Sequence, residues 1–212
     1  MKKIVFLSIL LCSISSVGFA QDGESDYRSS LKLGLKAGLN YSNVYDSKGE
    51  EYDANGKFGA VAGAFLSIPI GKYLGIQPEF LFSQKGYKAS GNLGGLAYEF
   101  KHTSNYLDIP LLVQLKPVSA LTIVAGPQYS FLLKEKNEFT SSLLNTVQEE
   151  EFKNDNVRKN VLCFIGGLDL HLSPVVLGAR VGWDIQNNNG DGTSTIPRYK
   201  NVWYQMTVGI MF

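Results

Sequence analysis

The stretch LKLGLKAGLNY, Leu31 to Tyr41, decides the fold. Leu31, Leu33, Leu35, Ala37, Leu39 and Tyr41 share one parity, and Lys32, Gly34, Lys36, Gly38 and Asn40 share the other. Successive side chains of an extended strand point to opposite faces. An alternation unbroken over eleven residues is therefore a strand with one apolar and one polar face, a pattern that helical periodicity does not produce.

Seven further segments repeat this pattern. Phe58, Ala60, Ala62, Ala64, Leu66, Ile68 and Ile70 lie on one face of the second. The third sets Leu74, Ile76, Pro78, Phe80 and Phe82 against Gly75, Gln77, Glu79, Leu81 and Ser83. The fourth sets Leu107, Ile109, Leu111, Val113 and Leu115 against Tyr106, Asp108, Pro110, Leu112, Gln114 and Lys116. The fifth sets Leu121, Ile123, Ala125, Pro127, Tyr129 and Phe131 against Thr122, Val124, Gly126, Gln128 and Ser130. In the sixth, Leu162 to Leu172 are outward by twos, leaving Asp169 and His171 inward. The seventh opposes Val175, Leu177, Ala179, Val181, Trp183 and Ile185 to Val176, Gly178, Arg180, Gly182 and Asp184. The eighth is NVWYQMTVGIMF, with Val202, Tyr204, Met206, Val208, Ile210 and Phe212 together. Proline removes a ladder donor, so Pro78, Pro110 and Pro127 are read as bulges or bends. Glycines on the polar face suit a narrow, strongly curved sheet.

The connections alternate in length. Short turns surround GKY, PVSA and SP, whereas Ser42–Lys57, Gln84–Asn105, Leu132–Asn160 and Gln186–Lys200 read as long polar loops. All long loops then lie at one rim, with both chain ends at the other, which requires an even strand number. Tyr41, Phe58, Phe82, Phe131, Phe164, Trp183 and Tyr204 fall on the apolar face near the loop-side ends of their strands. Such a ring belongs where hydrocarbon meets headgroups. The fold class expected is all-β: an eight-stranded, antiparallel, up-and-down transmembrane barrel of the outer membrane, with short periplasmic turns and long external loops.

The start of the chain agrees. Lys2 and Lys3 precede the apolar run Ile4–Leu11, and Gly18–Phe19–Ala20 offers small residues for cleavage. This is a secretory signal, expected to be removed after Ala20. Residues 21–30 then form a short polar lead-in, and 31–212 the barrel domain. Cleavage removes Cys12, leaving Cys163 as a single thiol, so the fold stands without an internal disulfide. It also leaves 18 basic against 19 acidic residues, which argues against a nucleic-acid partner. No later apolar run approaches 18 residues, so no spanning helix is expected.

Several of these stretches are similar to a Bacteroidetes family of outer-membrane β-barrel proteins related to PorT. They are GLKAGLNYSN (Gly34–Asn43), QPEFLFSQKGYK (Gln77–Lys88), NYLDIPLL (Asn105–Leu112), AGPQYSFLL (Ala125–Leu133) and the terminal VGIMF. The resemblance implies the barrel fold, the outer membrane and a non-enzymatic role in the envelope, with a secretion accessory as its most specific form. Partners on this reading are outer-membrane lipid, the assembly machinery, and an envelope or secretion-complex protein met through the external loops. Phe212, a lipid-facing aromatic at the end of the last strand, resembles the signal by which that machinery selects its clients. No cofactor is expected.

Three constellations carry candidate chemistry. Lys36, Glu79, Asp108, Gln128, Arg180 and Asp184 all have inward parity, as do Lys32, Lys116 and Asp169, and so form a candidate interior polar network. Eight strands enclose a space that side chains just fill, and charges there must pair. The alternative is a narrow pore for ions or small solutes, gated by the same charges. Next, HTSN (His102–Asn105) resembles the motif of outer-membrane lipid A deacylases, which implies a serine activated by histidine. Its inward parity and the absence of an orienting acid other than nearby Glu99 argue against lipid A modification. Last, the charged stretch Leu132–Asn160 reads as a solvated external loop or as a contact surface for another envelope protein, a glycan or a host molecule, and in it SSLLNTVQEEEF extends a hairpin or forms a short helix. Asn187–Thr195 has a calcium-loop composition without the terminal glutamate.

Overall fold

The computed structural model describes residues 27–46, 55–93, 96–141, 145–150, 159–187 and 199–212. The expected export segment, Cys12 and most of Asn187–Thr195 lie outside them. Among the described residues, one 3-10 turn at Tyr27–Ser29 is followed by nine strands. They are β1 (Lys32–Asp46), β2 (Asn55–Pro69), β3 (Leu74–Leu93), β4 (Leu96–Val118), β5 (Leu121–Ser141), β6 (Asn145–Glu150), β7 (Asn160–Leu172), β8 (Val175–Asp184) and β9 (Tyr199–Met211).

Eight of these close into an antiparallel barrel. Each neighbouring pair in the order β4, β3, β2, β1, β9, β8, β7, β5 is hydrogen-bonded, and β4 also pairs with β5. The seam between first and last strands runs from Gly34↔Met211 to Asp46↔Tyr199. Strand β6 is not a barrel stave. The lower half of β5 pairs with β7, from Leu121↔Leu170 to Phe131↔Asn160, whereas its upper half pairs with β6, from Glu135↔Glu150 to Thr140↔Asn145. Of the two forms read for Leu132–Asn160, the hairpin is the one adopted, over Asn145–Glu150.

The faces follow the alternation. Leu35, Leu39, Phe80, Leu111, Val113, Met206 and Val208 are exposed on the outside, while Gln77, Leu81, Leu112, Gln114, Gln128 and Trp203 are buried inside. On a soluble protein so continuous an apolar surface would aggregate. In a bilayer it is the side that lipid wets. The girdle aromatics meet in groups: Tyr41 lies opposite both Tyr204 and Phe58, Phe164 lies opposite Trp183, and Phe82 and Phe131 flank Leu107.

Two expectations are corrected. Gln84–Asn105 is not a long loop. Strands β3, β4 and β5 run for 20, 23 and 21 residues, against 10 for β8. A tilted strand crosses the membrane in about 9–11 residues. Roughly ten residues of each therefore continue beyond the girdle, and with β6 they form a raised four-stranded sheet. The prolines also keep register. Pro78↔Leu111 and Leu81↔Asp108 belong to one ladder, as do Pro110↔Gln128 and Val113↔Ala125, and Pro127 pairs with Phe164 without a shift. A proline deletes one donor but inserts no residue, so a ladder long on both sides carries it. The shifts lie instead at Gly56/Val61 and at Asn105/Tyr106 and Leu115/Val118.

Large rings occupy the lumen where glycine leaves room. A Cβ added at Gly34 would overlap the Phe65 ring, and one at Gly182 would overlap the indole of Trp203. Trp203 is 1 % exposed and has no space to retreat. Gly182→Val should therefore destabilise the barrel by about 1–3 kcal/mol, the usual cost of overpacking, read as a lower urea midpoint in detergent micelles.

Candidate functional site in the lumen and the raised sheet

The six inward residues singled out from the sequence divide into two layers. The lower layer holds Lys36, Glu79 and Arg180. Glu79 accepts from Lys36 Nζ at 2.5 Å and from Arg180 Nη1 at 2.9 Å. Arg180 Nη2 grips both oxygens of Asp169, at 2.9 and 2.8 Å. Gln77 Nε2 donates to Glu79 Oε1 at 2.7 Å. The chain of donors runs on through Gln114, Ser67 and Lys116. These side chains come from β1, β2, β3, β4, β7 and β8, so the layer crosses the lumen. It leaves a void of about 10 Å³ beside Lys36, Phe65, Gln77, Asp169 and Arg180, the space of at most one water.

The upper layer holds Asp108, Gln128 and Asp184, joined through residues that sequence reading had not selected. Lys85 Nζ lies 3.1 Å from Asp108 Oδ2. It also sits 3.7 Å from the centre of the Trp203 ring and 4.9 Å from that of Tyr106. Gln128 Nε2 donates to Ser130 Oγ at 3.0 Å. Asp184 accepts from the backbone and side-chain nitrogens of Asn201 and from Cys163 Sγ. Leu112, Val124, Val161, Cys163, Ile165 and the Trp203 indole form a buried apolar cluster in the lumen, and Leu81 stands opposite Asp108 in the β3–β4 ladder. Lys85 lies in the stretch whose polar composition reads as a loop, so its parity is not followed there. Inward parity continued from Ser83 is the signal that would have found it.

A third cluster lies on the inner side of the raised sheet. Ser104 Oγ is 2.8 Å from His102 Nε2, and His102 Nδ1 is 2.6 Å from Asn137 Oδ1. Ser104 Oγ also donates to Glu135 Oε1 at 3.5 Å, and Tyr87 stacks on His102 with centroids 5.1 Å apart. The orienting groups are thus Glu135 and Asn137 on β5, not Glu99. Burial holds the His102 pKa below its ordinary value, helped by the Lys57 charge and opposed by the Asn137 hydrogen bond, so the imidazole is neutral at pH 7. The serine–histidine–asparagine line has the spacing of a nucleophile relay. Ser104 is nevertheless 3 % exposed, and a reacting carbonyl needs open space within about 3–3.5 Å of the hydroxyl.

The outer side of the same sheet is basic. Lys57, Lys88, Lys101 and Lys136, with Glu138, Gln84, Thr103, Gly56 and Phe58, line an open trough of about 430 Å³. Glu138 holds Lys136 at 2.6 Å and Lys101 at 3.3 Å, and these two bonds keep its carboxyl below the usual range. His171 lies at the opposite end of the barrel, bonded to Thr122 Oγ1 at 3.0 Å. Phe212 faces outward there, its backbone N donating to the Leu33 carbonyl at 2.8 Å.

With barrel closure, outward apolar wall and girdle in place, the class is that of an outer-membrane barrel. The model of the outer membrane protein beta-barrel domain family matches residues 19–193, and the chain belongs to that family. Neisserial surface protein A superposes with a TM-score of 0.50 at 14 % identity, covering 85 % of this chain and 97 % of that one. Ail, the attachment invasion locus protein of Yersinia pestis, crystallised with the heparin analogue sucrose octasulfate, gives 0.49 at 12 % identity over 86 % and 99 %. OprG of Pseudomonas aeruginosa gives 0.45 at 13 % identity over 87 % and 96 %. At these identities the likeness concerns the fold alone. No curated protein matches the sequence. The protein is an outer-membrane β-barrel, and its outward face meets membrane lipid.

Proposed function

We propose that this chain is a closed, non-enzymatic barrel that displays the raised sheet and external loops to another component of the envelope. The observation that carries the reading is the lower layer of the lumen. Lys36, Glu79, Arg180 and Asp169 meet across the barrel with side chains at most 5 % exposed. Charges buried and paired in this way plug the passage and fix one packing of the staves. On this reading Lys36, Glu79, Asp108, Gln128, Arg180 and Asp184 are structural, and the His102 cluster ties β4 to β5 above the membrane. The PorT-like stretches favour a secretion accessory as the specific role. The same reading includes export directed by residues 1–20 and an assembly machinery that reads the outward Phe212.

The alternative is a narrow pore. In planar bilayers the purified protein should show no steady conductance, because ions would have to displace the Glu79–Arg180 pair. Channels of reproducible size would overturn the closed-barrel reading. Co-purification of tagged protein from native membranes then identifies the partner class.

A further inference from the structure

The basic trough on the outer wall remains unused by a closed lumen. Four lysines from β2, β3, β4 and β5 face one glutamate. Among the described residues Glu138 is the only carboxylate lining it, and it is already shared between Lys101 and Lys136. Lys88 has no ion-pair partner among the described residues. Lys57 is 7 % exposed and bonds Thr103 Oγ1. Its pKa is lowered to about 8, first by burial, then by Lys101, with Lys88 and Lys136 adding to the effect and Glu138 opposing it. Crowding like charges in one concavity is unfavourable unless an anion enters it.

The position of the trough says what presents that anion. Phe58, one of its lining residues, is also a member of the girdle, and Gln84 is two residues above Phe82. Directly below run the outward Ala60, Ala62, Phe80 and Phe82 of β2 and β3. An anionic group held here is therefore continuous with a surface made for acyl chains. The trough lies on the long-loop side of the girdle, at the headgroup level of the external leaflet.

We propose that the trough binds the phosphate of an outer-leaflet glycolipid, with Lys57, Lys88, Lys101 and Lys136 as its ligands and the acyl chains against β2 and β3. Lysine ammonium groups bind phosphate as point charges through charge-assisted hydrogen bonds. Glu138 holds two of them, Lys101 and Lys136, at the trough rather than extended into solvent. A soluble polyanion offers the same phosphate chemistry but would leave the apolar wall below unused.

The test uses the refolded full-length barrel in detergent. Binding is measured to bisphosphorylated lipid A, to the same lipid with both phosphates removed, and to inorganic pyrophosphate. One lipid A should bind per barrel, with affinity falling as salt rises. Removal of the phosphates should weaken binding by about tenfold or more, which is about 1.4 kcal/mol or more. Lys88→Gln/Lys101→Gln/Lys136→Gln should lose a similar factor while keeping heat-modifiable migration. Equal binding of the dephosphorylated lipid overturns the proposal, and this arm needs no variant. Full affinity in a folded triple variant overturns it also. Pyrophosphate binding as tight as lipid A would overturn the lipid as the source of the phosphate. The outcome is independent of conductance, so it stands apart from the closed-lumen reading.

Discussion

Glu79→Ala should cost the barrel about 3–5 kcal/mol, because removing one partner of a buried pair leaves charge without compensation. Here two cations lose their acceptor at once, Lys36 and Arg180. Arg180 keeps Asp169. Lys36 loses its hydrogen-bonded acceptor and keeps the face of Phe65, 5.7 Å from its ammonium, and the longer-range attraction of Asp169. The urea midpoint in micelles should fall accordingly, with the unfolding slope unchanged. Lys36→Met combined with Glu79→Met removes one charge of each sign and leaves Arg180 paired with Asp169. That double variant should recover most of the loss, since an apolar replacement of a buried pair is often neutral. A single variant that loses less than about 1 kcal/mol would mean that water fills the layer and that the barrel is open.

The second large effect is on the outside. Val208→Arg places a charge on the lipid face, where Val208 is 57 % exposed between Leu177 of β8 and Ala37 of β1. Near the midplane this should cost about 2–4 kcal/mol. Tyr45→Arg, on the same outward parity but beyond the girdle, should cost about 0–1 kcal/mol. Refolding into bilayers of known thickness separates the two. Equal costs at both positions would contradict the depth assigned to the girdle.

The faces of all eight staves were legible from residue types alone, since lipid on one side and a packed lumen on the other enforce period two. The raised sheet was not. Beyond the girdle the outer face of β3, β4 and β5 turns from apolar to charged, with Lys88, Lys101 and Lys136 on it, so the apolar parity that marks the strands below is lost and they continue on backbone bonds that leave no trace in composition. The His102 cluster was half visible. His102 and Ser104 are two residues apart, whereas Glu135 and Asn137 arrive from β5 through a register set by the shift at Asn105/Tyr106. One residue more or less at that shift would turn both to the outer face. The partition of the lumen into layers was hidden for the same reason. Parity tells which side chains point inward, but the stagger between strands decides which of them stand at one height.

That stagger also bears on how the barrel comes together. Lys36 and Glu79 are 43 residues apart, and Glu79 and Arg180 are 101 apart. The first contact needs only β1, β2 and β3. The second needs β8, and so exists only when the ring is complete. Until then Glu79 and Asp169 stand in a wet, half-open trough where exposure costs little. The final step of closure thus expels water and joins four charges together, and its reversal must hydrate all four before any stave can leave. A lumen built this way makes loss of a single strand expensive, so the whole cylinder should open as one kinetic unit.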